Sequence, residues 1–501
     1  MSRKENIPPH SSTPTIKSKP LINLLRGWPN PSLLPVDQLK KAANKALSDP
    51  EVWVPGLEYA PDPGYEPLRT SLAVWTVQIE KEEGIRPEEI CITGGASQNL
   101  ACLLASFADV GVTRAVWMAA PCYYLACPIF EDAGFGNKMR AVPEDEEGVD
   151  VKALEALLEE FDKGDDVGEH KAIKSPLPHR KHYRHLVYLV PTCSNPSGKT
   201  MGLKRRQDLV ALARAFDALI ICDDVYDFLQ WPVLDSPNPP SPSSPSEHDD
   251  PVPLIKAILL PRLSDIDASL GPSRYDPPGK IFGHAISNGS FSKIAGPGTR
   301  TGWTHGTPDF VLGLSQTGAT RSGGAASQLA ATMLNEMLVN GDLDRWLSEV
   351  VRPGLQRRHA VLVKIIKEEL GGLGCEIVNQ EREEKVFGGY FVWVKLPEGV
   401  KAKEVAERAK SEENLVIAEG PLFEVAGDED AAGFGGYLRL SFSWEEEEKM
   451  VEGVKRLGRV LRVMLVGDQG VEKRTEIVGL GEVGNGGSNK RGKGICYGQV
   501  Y

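Results

Sequence analysis

Apolar and polar positions along this chain follow two different periods. Short apolar runs of strand length occur at residues 90–93, 115–118, 186–190, 219–222 and 281–286. Between them, residues 97–107, 151–161 and 205–216 carry apolar side chains every three to four positions, the period of a helix packed on one face. Strands that alternate with helices build βαβ units. The pattern therefore predicts an α/β fold: a mostly parallel sheet with helices on both faces. Two helical patterns precede the first strand, at 37–46 and 67–82, and a longer helical region covers 327–367. Strand-like 390–395 and 437–442 then flank a helix-like 403–410, the pattern of a smaller α+β domain.

Four stretches break the alternation. Residues 1–20 are polar and rich in Pro and Ser, and the tail beyond 465 is Gly-rich and charged, so both are expected to be disordered. Residues 163–184 are charged and histidine-bearing, and residues 233–279 hold a dense Pro/Ser/Asp tract. Such compositions predict surface insertions. The expected organisation is a disordered arm at 1–20 and an N-terminal segment of the small domain at 21–55. A large domain at 56–350 carries insertions at 163–184 and 233–279. A C-terminal small domain at 351–465 and a disordered tail at 466–501 complete the chain.

Composition narrows the function classes. The 501 residues carry a net charge of -12, which argues against a nucleic-acid binder, whose footprint would be basic. No run approaches the roughly 20 apolar residues of a membrane span. The start, Met1 to Asn6, is polar and lacks the apolar core of a secretory signal. The 8 cysteines form no C-x-x-C pair, and several sit in apolar runs, as small buried thiols do in a reducing compartment. A cytoplasmic protein without a metal site is expected, because the histidines do not meet these cysteines at ligand spacing.

The chemistry concentrates after the predicted strands. Ser290-Phe291-Ser292-Lys293-Ile294-Ala295-Gly296-Pro297-Gly298-Thr299-Arg300 brings two hydroxyls, a lysine, a tight turn and an arginine together. Lysine forms imines with pyridoxal phosphate, and hydroxyls with a guanidinium can grip a phosphate. Gly94-Gly95-Ala96-Ser97 lies between a strand and a helix, where free N–H groups face an anion or the turn is merely structural. Tyr123 follows the strand at 115–118 and could stack on an aromatic cofactor or fill the rim. In Pro191-Thr192-Cys193-Ser194-Asn195-Pro196-Ser197-Gly198 a rigid turn could aim the Asn195 amide into a cleft. Asp223 ends an apolar run and would be costly there unless paired, with Tyr226 three residues on. Arg439 sits on an alternating strand, where arginine is usually exposed.

The order of these features resembles the class I/II aminotransferases, the fold-type I pyridoxal-phosphate enzymes, over about residues 21 to 465. Among subgroups it is most similar to fungal kynurenine/2-aminoadipate and valine–pyruvate aminotransferase-like proteins. The resemblance implies pyridoxal 5′-phosphate as cofactor, with amino acid and 2-oxo acid substrates. By that likeness Lys293 carries the cofactor and shuttles a proton, and Asp223 holds the pyridine nitrogen protonated. Asn195 and Tyr226 bind the phenolic oxygen, and Tyr123 stacks on the ring. Gly95, Ala96, Ser97, Ser290, Ser292 and Arg300 bind the phosphate, and Arg439 takes the substrate carboxylate. Gly27 resembles an N-terminal substrate-contact glycine. Tyr59 resembles a tyrosine that reaches the neighbouring subunit's phosphate, so a homodimer is implied. The same scaffold also serves carbon–sulfur β-lyases and non-enzymatic regulatory modules; the latter carry a DNA-binding domain in front.

Overall fold

The computed structural model describes residues 19–76, 84–163, 171–232, 259–321, 326–378 and 386–475, with 467–475 as helix backbone alone. In chain order the first strands are β1 (Ile22–Asn23), β2 (Ile90–Thr93), β3 (Ala115–Ala120), β4 (Met139–Asp145), β5 (Gly148–Val149), β6 (His185–Leu189), β7 (Ala218–Asp223) and β8 (Gln230–Pro232). Then follow β9 (Ala285–Ser290), β10 (Gly302–His305), β11 (Glu376–Ile377), β12 (Val386–Gly388), β13 (Phe391–Lys395), β14 (Leu415–Val416), β15 (Ala418–Glu419) and β16 (Tyr437–Ser441).

Eight strands form the central sheet in the order β2-β10-β9-β7-β6-β3-β4-β5. The pairs from β9 through β7, β6 and β3 to β4 are all parallel, whereas β10 runs antiparallel between β2 and β9. Every residue of β3, β6 and β7 is buried, as a parallel sheet covered on both faces requires. Side chains alternate between the faces. Val116, Met118, Leu186, Tyr188, Leu219 and Ile221 pack in one layer with Phe107. Trp117, Val187, Leu189, Ile220 and Cys222 pack in the other with Leu154 and Leu158. Parallel strands place their carboxyl ends on one edge, and the segments after β3, β6, β7 and β9 meet there.

A second, antiparallel sheet has the order β11-β13-β16-β15. The chain start is stitched beside it: β1 pairs in parallel with β14, and Ser441 N–H donates to the Leu24 carbonyl at 2.8 Å. The helix Val36–Ser48 packs instead on the helix Gln328–Val339, so the segment expected at 21–55 splits between two neighbourhoods.

Several expectations need correction. The strand expected at 281–286 begins at Ala285 and runs to Ser290. Phe282 is apolar because it packs in the core, whereas Ile281 is exposed, and their amides donate to the carboxylates of Asp276 and Asp309 instead of to a neighbouring strand. The insertion expected at 233–279 is no loose loop beyond 259. The helix Leu263–Ser269 packs on the helix Leu203–Ala215 and on β9, and buried Arg262 pairs with Asp227 at 2.7 Å. Proline and serine dominate that tract's composition and hide the apolar spacing of Leu263 and Ile266. Residues 233–258 lie outside the described residues. In the 163–184 stretch, Lys174 Nζ donates to the carbonyls of Leu104 and Ala105 at a helix C-terminus, and buried Lys181 pairs with Asp217 at 2.8 Å. Those charges are therefore fastened to the body, while 164–170 lie outside the described residues. The final helix, Glu447–Thr475, continues past the boundary drawn at 465. The arm is outside the described residues up to residue 18.

Candidate active site

Lys293 lies in a 3-10 turn directly after β9. Its Nζ donates to the Gly27 carbonyl at 2.7 Å and lies 5.1 Å above the Tyr390 ring. Burial, with the Arg439 cation adding to it, lowers its amine to about 8; Asp223 works the other way. Gly27 has no room for a side chain: a methyl there would collide with Cζ of Phe391.

Asp223 closes β7, on the same sheet face as Leu219 and Ile221. Its Oδ2 accepts from the Tyr188 hydroxyl at 2.8 Å. Its Oδ1 is buried and has no partner. Burial pushes the carboxyl up to about 6, against the pull of the Tyr188 hydrogen bond and Lys293. Asn288, its register partner on β9, accepts from Asn99 at 2.8 Å and donates to the Ala96 carbonyl at 3.0 Å. This pins the start of the helix Ala96–Phe107 to the sheet.

Arg439 comes from β16 and is buried, contrary to the usual fate of an arginine on an alternating strand. Nη1 donates to Asn195 Oδ1 at 2.7 Å and Nη2 to the Leu25 carbonyl at 2.6 Å; Nε has no partner. The guanidinium lies 3.9 Å over Phe391 and 4.8 Å over Phe423. Burial draws it down to about 10, and Tyr124, Tyr226 and Tyr123 oppose the shift. Tyr226 is buried beside Tyr390, with ring centres 5.5 Å apart. Tyr123 is half-buried after β3, and burial and then Asp223 raise its phenol above the usual range.

Gly95 has φ 95°, open to glycine but strained for other residues, and a Cβ there would lie 2.9 Å from Arg300 Nη2. Arg300 is exposed and donates to the Gly94 carbonyl at 3.0 Å. Ser97 is exposed and Ala96 half-buried at the helix start. Ser290 Oγ donates to Ser292 Oγ at 2.9 Å. Glycine, two hydroxyls, a guanidinium and a helix N-terminus thus form an open cradle with the chemistry of a phosphate site. The orphaned Asp223 Oδ1 suits a ring N–H. These residues fit pyridoxal phosphate. Tyr59 is 86% exposed.

The sequence reading missed Tyr188, Asn99, Asn288, Tyr390 and Phe391. Tyr188 carried the best signal: a phenol inside the apolar run before Pro191, which when buried needs a partner.

The family model for aminotransferase class I and II matches residues 21–457. The chain belongs to this family. A Saccharomyces cerevisiae protein of unassigned activity is 32% identical over 460 residues, spanning 88% of this chain and 97% of its own. The 2-aminoadipate transaminase of Thermus thermophilus is 30% identical over 446 residues, 89% of this chain and 91% of its own. The crystal structure of the Thermus thermophilus α-aminoadipate aminotransferase, complexed with N-(5′-phosphopyridoxyl)-L-leucine, matches with a TM-score of 0.66 at 26% identity. That match covers 89% of this chain and 93% of the other. The aminotransferase has the fold-type I architecture, uses pyridoxal 5′-phosphate and moves an amino group from an amino acid to a 2-oxo acid.

Proposed function

We propose that Lys293, Asp223, Asn195, Tyr226 and Arg439 are the working groups of this aminotransferase. The observation that carries the reading is the convergence of the lowered Lys293 amine, the orphaned Asp223 oxygen and the buried Arg439 from three separate segments. When bound, pyridoxal phosphate supplies an electron sink for the substrate's Cα. Asp223 Oδ1 holds a proton on the ring nitrogen. Asn195 and Tyr226 offer donors to the phenolic oxygen, and Tyr123 covers one ring face. Gly95, Ala96, Ser97, Ser290, Ser292 and Arg300 hold the phosphate. Arg439 grips the α-carboxylate of either substrate, which aligns Cα with Lys293. The Lys293 amine would move a proton between the substrate's Cα and the cofactor's C4′, and Gly27, which has no room for a side chain against Phe391, would border the substrate.

The protein acts in this reading as a cytoplasmic homodimer. The support is Tyr59, whose ring stands free at 86% exposure, and the buried free thiols, suited to a reducing compartment. Tyr59 then completes the partner's phosphate cradle. The similar Thermus thermophilus enzyme is a 2-aminoadipate transaminase and its crystal structure holds a phosphopyridoxyl-leucine adduct, so 2-aminoadipate and leucine are sensible first donors.

The test is Lys293→Ala. It should abolish amino transfer from a donor panel and the absorbance of bound cofactor that shifts when donors are added. Wild-type turnover would refute the assignment. Release of ammonia and pyruvate from a cysteine conjugate, with no 2-oxo acid needed, would instead favour a β-lyase. Sedimentation of the holoenzyme as a monomer would overturn the dimer.

A further inference from the structure

Asp223 has two oxygens in two different situations, and Tyr188 makes the difference. The Tyr188 hydroxyl, on the neighbouring strand β6, donates to Oδ2 at 2.8 Å. Tyr188 is paired in register with Ile221, so its side chain stands on the face shared by Ile221 and Asp223. Its ring is 2% exposed and is held edge-on by Phe130, with centroids 5.7 Å apart. The phenol therefore cannot swing away. The other oxygen, Oδ1, is buried with no partner.

We propose that Tyr188 is a positioning residue for the amino-transfer reaction: it locks the Asp223 carboxylate so that Oδ1 alone faces the cofactor's ring nitrogen. This rests on the Asp223 role proposed above. Two effects follow from the one hydrogen bond. The first is geometric, since an anchored carboxylate presents one oxygen in one direction. The second is electrostatic. Burial works against the charged carboxylate, and a hydrogen bond to the charged form restores it. Burial and the nearby Asp223 keep the Tyr188 phenol well above its usual range, so it stays a donor throughout the working pH range. The other groups facing Asp223 are Lys293, Tyr123 and Tyr226, with Cys222 beside it in β7. Of these only Lys293 is a cation that favours the carboxylate. Tyr188 is thus the neutral donor that holds Asp223 charged, independent of whether Lys293 is protonated or engaged.

A bland alternative is that Tyr188 only fills the core and happens to satisfy its hydroxyl. Tyr188→Phe separates the two, because it removes one oxygen and keeps the ring against Phe130. If Tyr188 positions Asp223, Tyr188→Phe holoenzyme should bind pyridoxal phosphate about tenfold more weakly. The acidic limb of its kcat profile, and of the bound cofactor's absorbance titration, should rise by about one pH unit. These follow from the 1.5–3 kcal/mol typical of a hydrogen bond to a charge. KM for the 2-oxo acid should change little. In an Asp223→Asn background the same change should have almost no further effect. Wild-type cofactor affinity and pH profiles in a folded Tyr188→Phe protein would overturn the proposal, and so would additive effects in the double variant. Site-specific 3-fluorotyrosine at 188 gives a second route if the phenylalanine variant does not fold. This stronger donor should move the acidic limb downward, and an unmoved limb overturns the proposal. If Asp223→Asn itself leaves cofactor binding and turnover intact, it is the Asp223 role that fails.

Discussion

Arg439 Nη1 and Asn195 Oδ1 lie 2.7 Å apart, joining a strand of the second sheet to the turn after β6 of the first. In the function proposed above, this contact links the group that would grip the substrate carboxylate to one that would face the cofactor. With Nη2 on the Leu25 carbonyl and Phe391 beneath the plane, the fork is preorganised in one orientation. Arg439→Lys keeps the charge and loses the fork. We expect KM for both the donor and the 2-oxo acid to rise about a hundredfold, within the 1.5–3 kcal/mol of a charged hydrogen bond. Steady-state kinetics with both substrates varied checks this; an effect on kcat alone would contradict it.

Lys293→Ala should lower kcat by at least about a thousandfold, the middle of the range seen for a positioned acid–base group. Rapid-quench single turnover would detect the residual step.

The Lys293 amine titrates near 8 because burial and Arg439 disfavour the ammonium. The neutral, reactive amine is therefore the major form above that pH. Capture of pyridoxal phosphate by the apoenzyme should speed up as pH rises toward about 8 and level off above it. Stopped-flow absorbance measures the profile. A rise that continues unchanged to pH 10 would mean that the lysine is not lowered.

Asp223 is held at about 6, above the ordinary carboxylate value, because burial favours the neutral form. Its raised value favours folding fully below the unfolded pKa, and that contribution is lost as pH rises through 6. Asp223→Asn should stabilise the apoenzyme at pH 7.5 by up to about 3 kcal/mol, two units at 1.36 kcal/mol each. It should weaken cofactor binding at the same time. Thermal melts of apo and holo forms, compared at pH 5 and 7.5, test both signs.

Gly27→Ala places a methyl against Phe391. The crowding should cost about 1–3 kcal/mol of stability and displace the carbonyl that holds Lys293. Denaturant melts and kcat should fall together.

Much of this site is written in short segments. The segment from Ser290 to Arg300 carries its lysine, hydroxyls and guanidinium from the end of β9 through two short 3-10 turns, and Gly95 announces its positive φ by being glycine. The α/β alternation is legible because parallel strands buried on both faces are continuous apolar runs. Boundaries were less legible. Ile281 and Phe282 look like strand residues, yet side-chain carboxylates take their amides. The helix Leu263–Ser269 is masked by the proline-rich tract before it.

Local chemistry, then, was decided by the chain's own order: which residues can form an imine, seat a phosphate or end a strand depends on neighbours a few positions away. Pairing was decided in three dimensions. Arg439 meets Asn195 across 244 positions, Lys293 meets Gly27 across 266, and Tyr188 meets Asp223 across a strand boundary. A side chain's partner, burial and charge depend on sheet order, register and closure of the second sheet on the first. These arise only when distant segments share one core.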